Sequence, residues 1–132
     1  MLRRKHMPPQ LRPAWEAFRA QAIRVEQART ALLSCLPVGR VDPVPVPVGL
    51  DLVHDELTAV ADQMAAWRHD AVAASWDACS AAIDEALAAL PGARCVAATT
   101  TELEELLGVI ADVVEPLDAW QDAERAWLRF RR

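Results

Sequence analysis

The sequence contains no tyrosine and no asparagine, and it has only four glycines. It also lacks long runs in which β-branched residues alternate with polar ones, and this absence excludes an all-β domain. Alanine, in contrast, occurs 26 times in the 132 residues. Alanine favours helix because its side chain loses no conformational entropy there. The composition therefore predicts an all-α protein.

No stretch of the sequence is long, apolar and uncharged enough to form a transmembrane helix. The basic start, residues 1–6, leads into prolines rather than an apolar run, so we predict no signal peptide. The three cysteines, Cys35, Cys79 and Cys95, are odd in number and lack the spacing of a zinc site. We therefore expect reduced thiols and a cytoplasmic location.

The chain has the length and composition of one globular domain, with 53% hydrophobic and 25% charged residues. Its net charge of −5 is unevenly distributed, because residues 1–40 carry +6, residues 41–124 carry −15 and residues 125–132 carry +4. This pattern favours pairing of basic with acidic helices, within the chain or between copies. Nucleic-acid contact through the basic ends is the other interpretation. We do not expect it, because the acidic middle would repel phosphates.

Apolar residues at helical spacing predict three long helices. The first covers residues 13–36. The second covers residues 50–90, about 41 residues or about 60 Å at the helical rise, and ends at Pro91-Gly92. The third begins after the threonines at 99–101 and continues to the C-terminus with a kink at Pro116. The sequence thus predicts an antiparallel bundle of three long helices.

The second helix has a weak point at Arg68–Asp70, where Asp70 could cap a new helix. A break there would give four helices instead of three. Residues 1–12 are predicted to form a basic flexible tail, and residues 13–132 a single helical-bundle domain. Prolines at alternate positions favour an extended Pro/Val strap over residues 37–49.

The unequal lengths of the three predicted helices point to a homodimer. Residues 72–114 would form a two-helix hairpin, which cannot bury its apolar faces alone. A second copy would cover them. The expected dimer surface comprises Val72, Trp76, Cys79, Ile83, Leu87, Leu103, Leu106 and Ile110.

Aromatic residues are predicted to meet in one layer of the bundle. The helical rise of about 1.5 Å per residue brings Trp15, Phe18, Trp67 and Trp120 to a similar height. Such a layer is either part of the core or the wall of a pocket for a ligand or partner. The predicted pocket residues are Trp15, Phe18, Trp67, Trp76, Trp120 and Trp127.

Chemical motifs are scarce. Asp51 and His54 share a helix face and could form half of a carboxylate-bridged metal site, but the third helix supplies no histidine. The spacing supports no Ser-His-Asp set and no glycine-rich phosphate loop. We expect no catalytic residue, metal or cofactor. The predicted function is a non-catalytic protein–protein interaction module that self-associates; the alternative is a small-ligand-binding protein or small enzyme with a Trp-lined pocket.

Overall fold

The computed structural model describes residues 5–36, 45–125, 127, 130 and 131. This part of the chain contains four α-helices, which confirms the predicted all-α class. They are α1 (Arg12–Leu33), α2 (Val46–Asp62), α3 (Ala73–Thr99) and α4 (Leu103–Glu124). Short 3-10 helices span Pro9–Leu11, Met64–Trp67 and Asp70–Val72. Two-residue strands, β1 (Lys5–His6) and β2 (Phe130–Arg131), pair in parallel.

Helix α1 forms where the periodicity predicts it. Pro13 lies in its first turn, where the missing N–H costs no hydrogen bond. Its buried side includes Phe18, Val25 and Leu32, which are at most 6% exposed. This apolar stripe packs into the core, while charged residues occupy the solvent side.

The prediction of a continuous second helix of about 41 residues is wrong. Helix α2 ends at Asp62 and α3 begins at Ala73, so the break falls around the alternative site at Arg68–Asp70. Arg68 and His69 have extended backbones, with ψ angles of 125° and 142°. The His69 Nδ1 atom accepts a hydrogen bond from the Ala71 N–H at 3.0 Å. His69, rather than the predicted Asp70, therefore caps the next helical turn.

Tryptophan side chains stabilise the break. The Trp76 indole N–H donates a hydrogen bond to the Met64 carbonyl at 2.7 Å, which joins α3 to the end of the preceding segment. Trp67, between the two helices, is fully buried. Periodicity alone could not separate this arrangement from one straight helix, because the apolar stripe continues across the break.

Two predicted helix ends also differ from the structure. Helix α3 continues through Pro91 to Thr99 instead of ending at Pro91-Gly92. Pro91 is exposed, and half of the helical residues that follow it are alanine or arginine, which favour helix. Helix α4 continues through Pro116, as predicted, but ends at Glu124 rather than near the C-terminus. The backbone of Phe130–Arg131 is instead extended beside β1. The kink predicted at Pro116 stays a prediction.

The ends of the predicted tail and strap also take part in the fold. Met7 and Leu11, assigned from the sequence to the tail over residues 1–12, are 5% and 0% exposed in the core. Residues 1–4 lie outside the described residues, as do residues 37–44 of the predicted strap. The end of that strap, residues 46–49, is helical instead of extended because Pro47 fits the first turn of α2.

Polar contacts connect each helix to its neighbours. They show that α1, which carries several arginines, packs on helices that carry acidic residues, so the predicted basic–acidic pairing within the chain is confirmed for this helix. The contacts are Arg24–Glu56 at 3.6 Å, Arg94–Asp51 at 3.1 Å, Arg29–Asp118 at 3.0 Å, and the Ser75 hydroxyl donating to the Ala123 carbonyl at 2.9 Å.

Candidate functional site

Four aromatic rings from separate parts of the chain form a packed group, here called the aromatic cluster: Phe18, Trp67, Trp120 and Trp127. Phe18 stacks on Trp127 and Trp120 with ring centroids 4.7 and 5.9 Å apart. Trp67 meets Phe18 edge-on at 5.0 Å, and it lies 5.9 Å from both other tryptophans. All four side chains are at most 6% exposed. At these separations the rings contact each other directly.

The other two predicted pocket residues flank the aromatic cluster. Trp76 is partly buried, with its ring centroid 6.4 Å from that of Trp67. The Arg68 guanidinium lies 5.3 Å from the Trp76 ring. Trp15 is also partly buried against the core, and the Arg19 guanidinium lies 5.5 Å from its ring. Phe18, Trp67 and Trp120 of the predicted layer therefore lie together, with Trp76 beside Trp67, whereas Trp15 packs against the core.

Three indole N–H groups in the aromatic cluster have no hydrogen-bond acceptor within the described part of the chain. They belong to Trp67, Trp120 and Trp127. Buried tryptophans usually find an acceptor for this group, and an unpaired buried donor costs about 1–3 kcal/mol.

A groove of about 240 Å³ lies beside the aromatic cluster, between α1 and the end of α4, and is here called the α1–α4 groove. Gln121 connects its two sides by donating a hydrogen bond to a Glu26 carboxylate oxygen at 2.9 Å. Ile23, on its rim, is 53% exposed. The lining residues are Arg19, Ala22, Ile23, Val25, Glu26, Trp120, Gln121 and Glu124.

Glu124 lines this groove, and its surroundings shift its pKa. Burial raises its pKa, the nearby Trp120 indole N–H lowers it in part, and the charge of Glu26 raises it further. The Trp120 indole N–H therefore lies near the Glu124 carboxyl group. Two carboxyl groups thus come close together, and neither forms an ion pair with a residue that the structure describes.

The buried cysteines are poorly suited to chemistry. Burial raises the pKa of Cys79 to about 12, with the Ser75 hydroxyl lowering it and the charge of Glu124 raising it. Burial also raises the pKa of Cys35, although a hydrogen bond from the Gly49 backbone opposes this effect. Because the thiolate is the reactive form, these two side chains are unreactive at neutral pH. Cys95 is exposed.

A second groove, of about 410 Å³, lies between α2 and α3 and includes His54, Thr58, Pro91 and Arg94. The Arg94 guanidinium forms an ion pair with Asp51, and His54 Nδ1 lies 3.5 Å from a carboxylate oxygen of Asp55. No group of three or more histidine, cysteine or acidic side chains in the described ranges could hold a metal ion. None of the helices described is long and apolar enough to cross a membrane.

The structure buries half of the residues that the sequence assigns to a dimer surface. Val72, Cys79, Ile83 and Ile110 are at most 4% exposed within a single chain. Their assignment to a surface is therefore corrected: the break after α2 lets α2 and α1 cover the hairpin formed by α3 and α4. The remaining four stay candidates, since Leu103 is 54% exposed and the others are partly buried: Trp76, Leu87 and Leu106.

Sequence reasoning missed three exposed aliphatic side chains of α2 and α4. Val48 and Leu52 are both 49% exposed, and Leu107 is 38% exposed. One signal could have found Leu107: it lies four residues after Leu103, so the two share part of a helix face, and it lies outside the seven-residue series of Leu103, Ile110 and Leu117. Glu26 and Glu124 carried no signal, because only the fold brings them together.

No family model matches the chain, and the comparisons with curated proteins and with solved structures find no match either.

Proposed function

We propose that the protein is a non-catalytic helical interaction module that self-associates through exposed aliphatic side chains. The observation that carries this proposal is a set of four such side chains, here called the apolar end: Val48 and Leu52 on α2, and Leu103 and Leu107 on α4. They are between 38% and 54% exposed. Each pair is four residues apart and so forms one contiguous strip on its helix.

Both pairs lie at the same end of the bundle. The ion pair between Arg94 and Asp51 brings the end of α3 beside the start of α2. Helix α4 begins four residues after α3 ends, so its first turns belong to this end too. Single exposed aliphatic residues need no explanation, but strips rimmed by polar groups are typical of interaction sites. The proposal therefore relies on the two strips, in each of which two exposed residues lie side by side, and not on any single residue.

The distribution of charge favours an association in which an acidic surface of one copy contacts a basic surface of another. Exposed carboxylates flank the apolar end, whereas α1 exposes arginines beside Ile23, which is 53% exposed. The acidic groups are Asp51, Asp55, Glu102, Glu104 and Glu105, and the basic groups are Arg12, Arg19 and Arg24. An acidic end of one copy and a basic helix of another are electrostatically complementary. A cytoplasmic location is part of this proposal.

Light scattering tests the proposal across micromolar to millimolar concentrations. We expect the average mass to rise above the 14.5 kDa of one chain. The double variant Leu103→Gln, Leu107→Gln should weaken self-association by about tenfold or more, because it removes apolar contact without altering the core. The matched control, Ala88→Gln with Ala119→Gln, changes exposed sites on α3 and α4 and should behave like the parent. A mass of one chain at all concentrations would contradict the proposal.

The alternative function, a ligand protein with a Trp-lined pocket, has one observation in its favour. The indole N–H groups of Trp67 and Trp127, which meet no acceptor among the residues that the structure describes, could donate to an acceptor on a ligand. The close contacts among these rings weigh against an open pocket in this state. Fluorescence quenching distinguishes the two: small aromatic quenchers should reach a pocket, whereas a packed core should exclude them.

A further inference from the structure

We draw no further inference here: the strongest candidate, the groove of about 410 Å³ between α2 and α3, has a rim on which Arg94 already pairs with Asp51, and nothing in the described part of the chain shows what would occupy it.

Discussion

Gly49, in the first turn of α2, packs against the end of α1. A Cβ atom added there would overlap the Cys35 Sγ atom and lie 3.4 Å from the Ala31 carbonyl oxygen. We expect Gly49→Ala to lower the free energy of unfolding by about 1–3 kcal/mol, because the buried Cys35 side chain must move to accept it. Urea unfolding followed by circular dichroism measures this loss.

Two controls separate crowding from helix propensity. Gly108 is exposed in α4, and a Cβ added there meets no atom within 4 Å. Gly108→Ala should therefore raise stability by about 0.5–1 kcal/mol, because alanine is the better helix former. In a Cys35→Ala background, Gly49→Ala should cost about half as much or less, since the overlapping atom is gone. Equal costs in both backgrounds would disprove the steric explanation.

Glu124 should make stability depend on pH. Its pKa is raised in the folded protein above the ordinary value of 4.5, chiefly by burial. The folded state therefore holds the Glu124 proton more tightly than the unfolded state does. The stability that this protonated side chain contributes decreases as the pH rises from about the ordinary pKa through the raised pKa of the folded protein. The groups that face it are Glu26 on α1, Cys79 on α3 and Trp120 on α4.

The variant Glu124→Gln removes this dependence. We expect it to melt higher than the parent at neutral pH, by only about 1–2 °C because the side chain is partly exposed. The difference should disappear at pH values below the ordinary glutamate pKa, where the parent side chain is protonated in both states. Thermal melts at several pH values measure this; a parent that is more stable than the variant at neutral pH would contradict the argument.

Pro91 lowers the stability of helix α3. It lacks the N–H that would bond to the Leu87 carbonyl, yet the helix continues through it to Thr99. We expect Pro91→Ala to raise the free energy of unfolding by about 1–2 kcal/mol: the helix gains up to about 3 kcal/mol, and the unfolded chain gains freedom that offsets part of this. Denaturant unfolding measures the change.

Pro116 provides the comparison within α4. It also interrupts a helix, but its ring is buried, so Pro116→Ala loses packing as well as gaining a hydrogen bond. Its net effect should therefore be less favourable than that of Pro91→Ala. If Pro91→Ala destabilised the protein, the proline would be required for the turn geometry of α3, contrary to this interpretation.

Sequence reasoning succeeded where one local pattern determines an element. Pro13 and the apolar stripe after it place α1 correctly, and the helical rise brings Phe18, Trp67 and Trp120 together as predicted. It failed at the break after α2, because the stripe of apolar residues continues through Trp67 and Trp76 whether the chain is straight or folded. The energy of burying Trp67 among rings from α1 and α4 is a tertiary effect, which no local pattern contains.

The α1–α4 groove could not have been predicted for a related reason. Glu26 and Glu124 are 98 residues apart in the sequence, and each is an ordinary solvent-facing helix residue by its local pattern. They approach only because α1 crosses the last turns of α4, where Arg29 pairs with Asp118 and Gln121 with Glu26. The sequence indicated that basic and acidic helices would meet, but not which of their side chains would come together.

At the scale of the whole molecule, the break after α2 changes the relation between folding and self-association. A straight second helix would leave its second half covered only by a second copy, so that folding and pairing would be one event. The structure instead buries Val72, Cys79, Ile83 and Ile110 within one chain. Any association through the apolar end then joins chains that are already folded.

We therefore predict that dilution to single chains leaves the fold unchanged. The helical circular dichroism signal and the tryptophan emission maximum should stay constant while light scattering reports the fall to 14.5 kDa. In an obligate dimer, a hundredfold rise in concentration adds about 2.7 kcal/mol of stability, and the melting temperature rises by several degrees. Here the parent and the variant Leu103→Gln, Leu107→Gln should melt within about 1 °C of each other at low concentration, because both side chains are exposed on a folded chain. Loss of helix on dilution would contradict this prediction. It would mean that a single chain cannot cover its own core and that the four buried residues need a second copy.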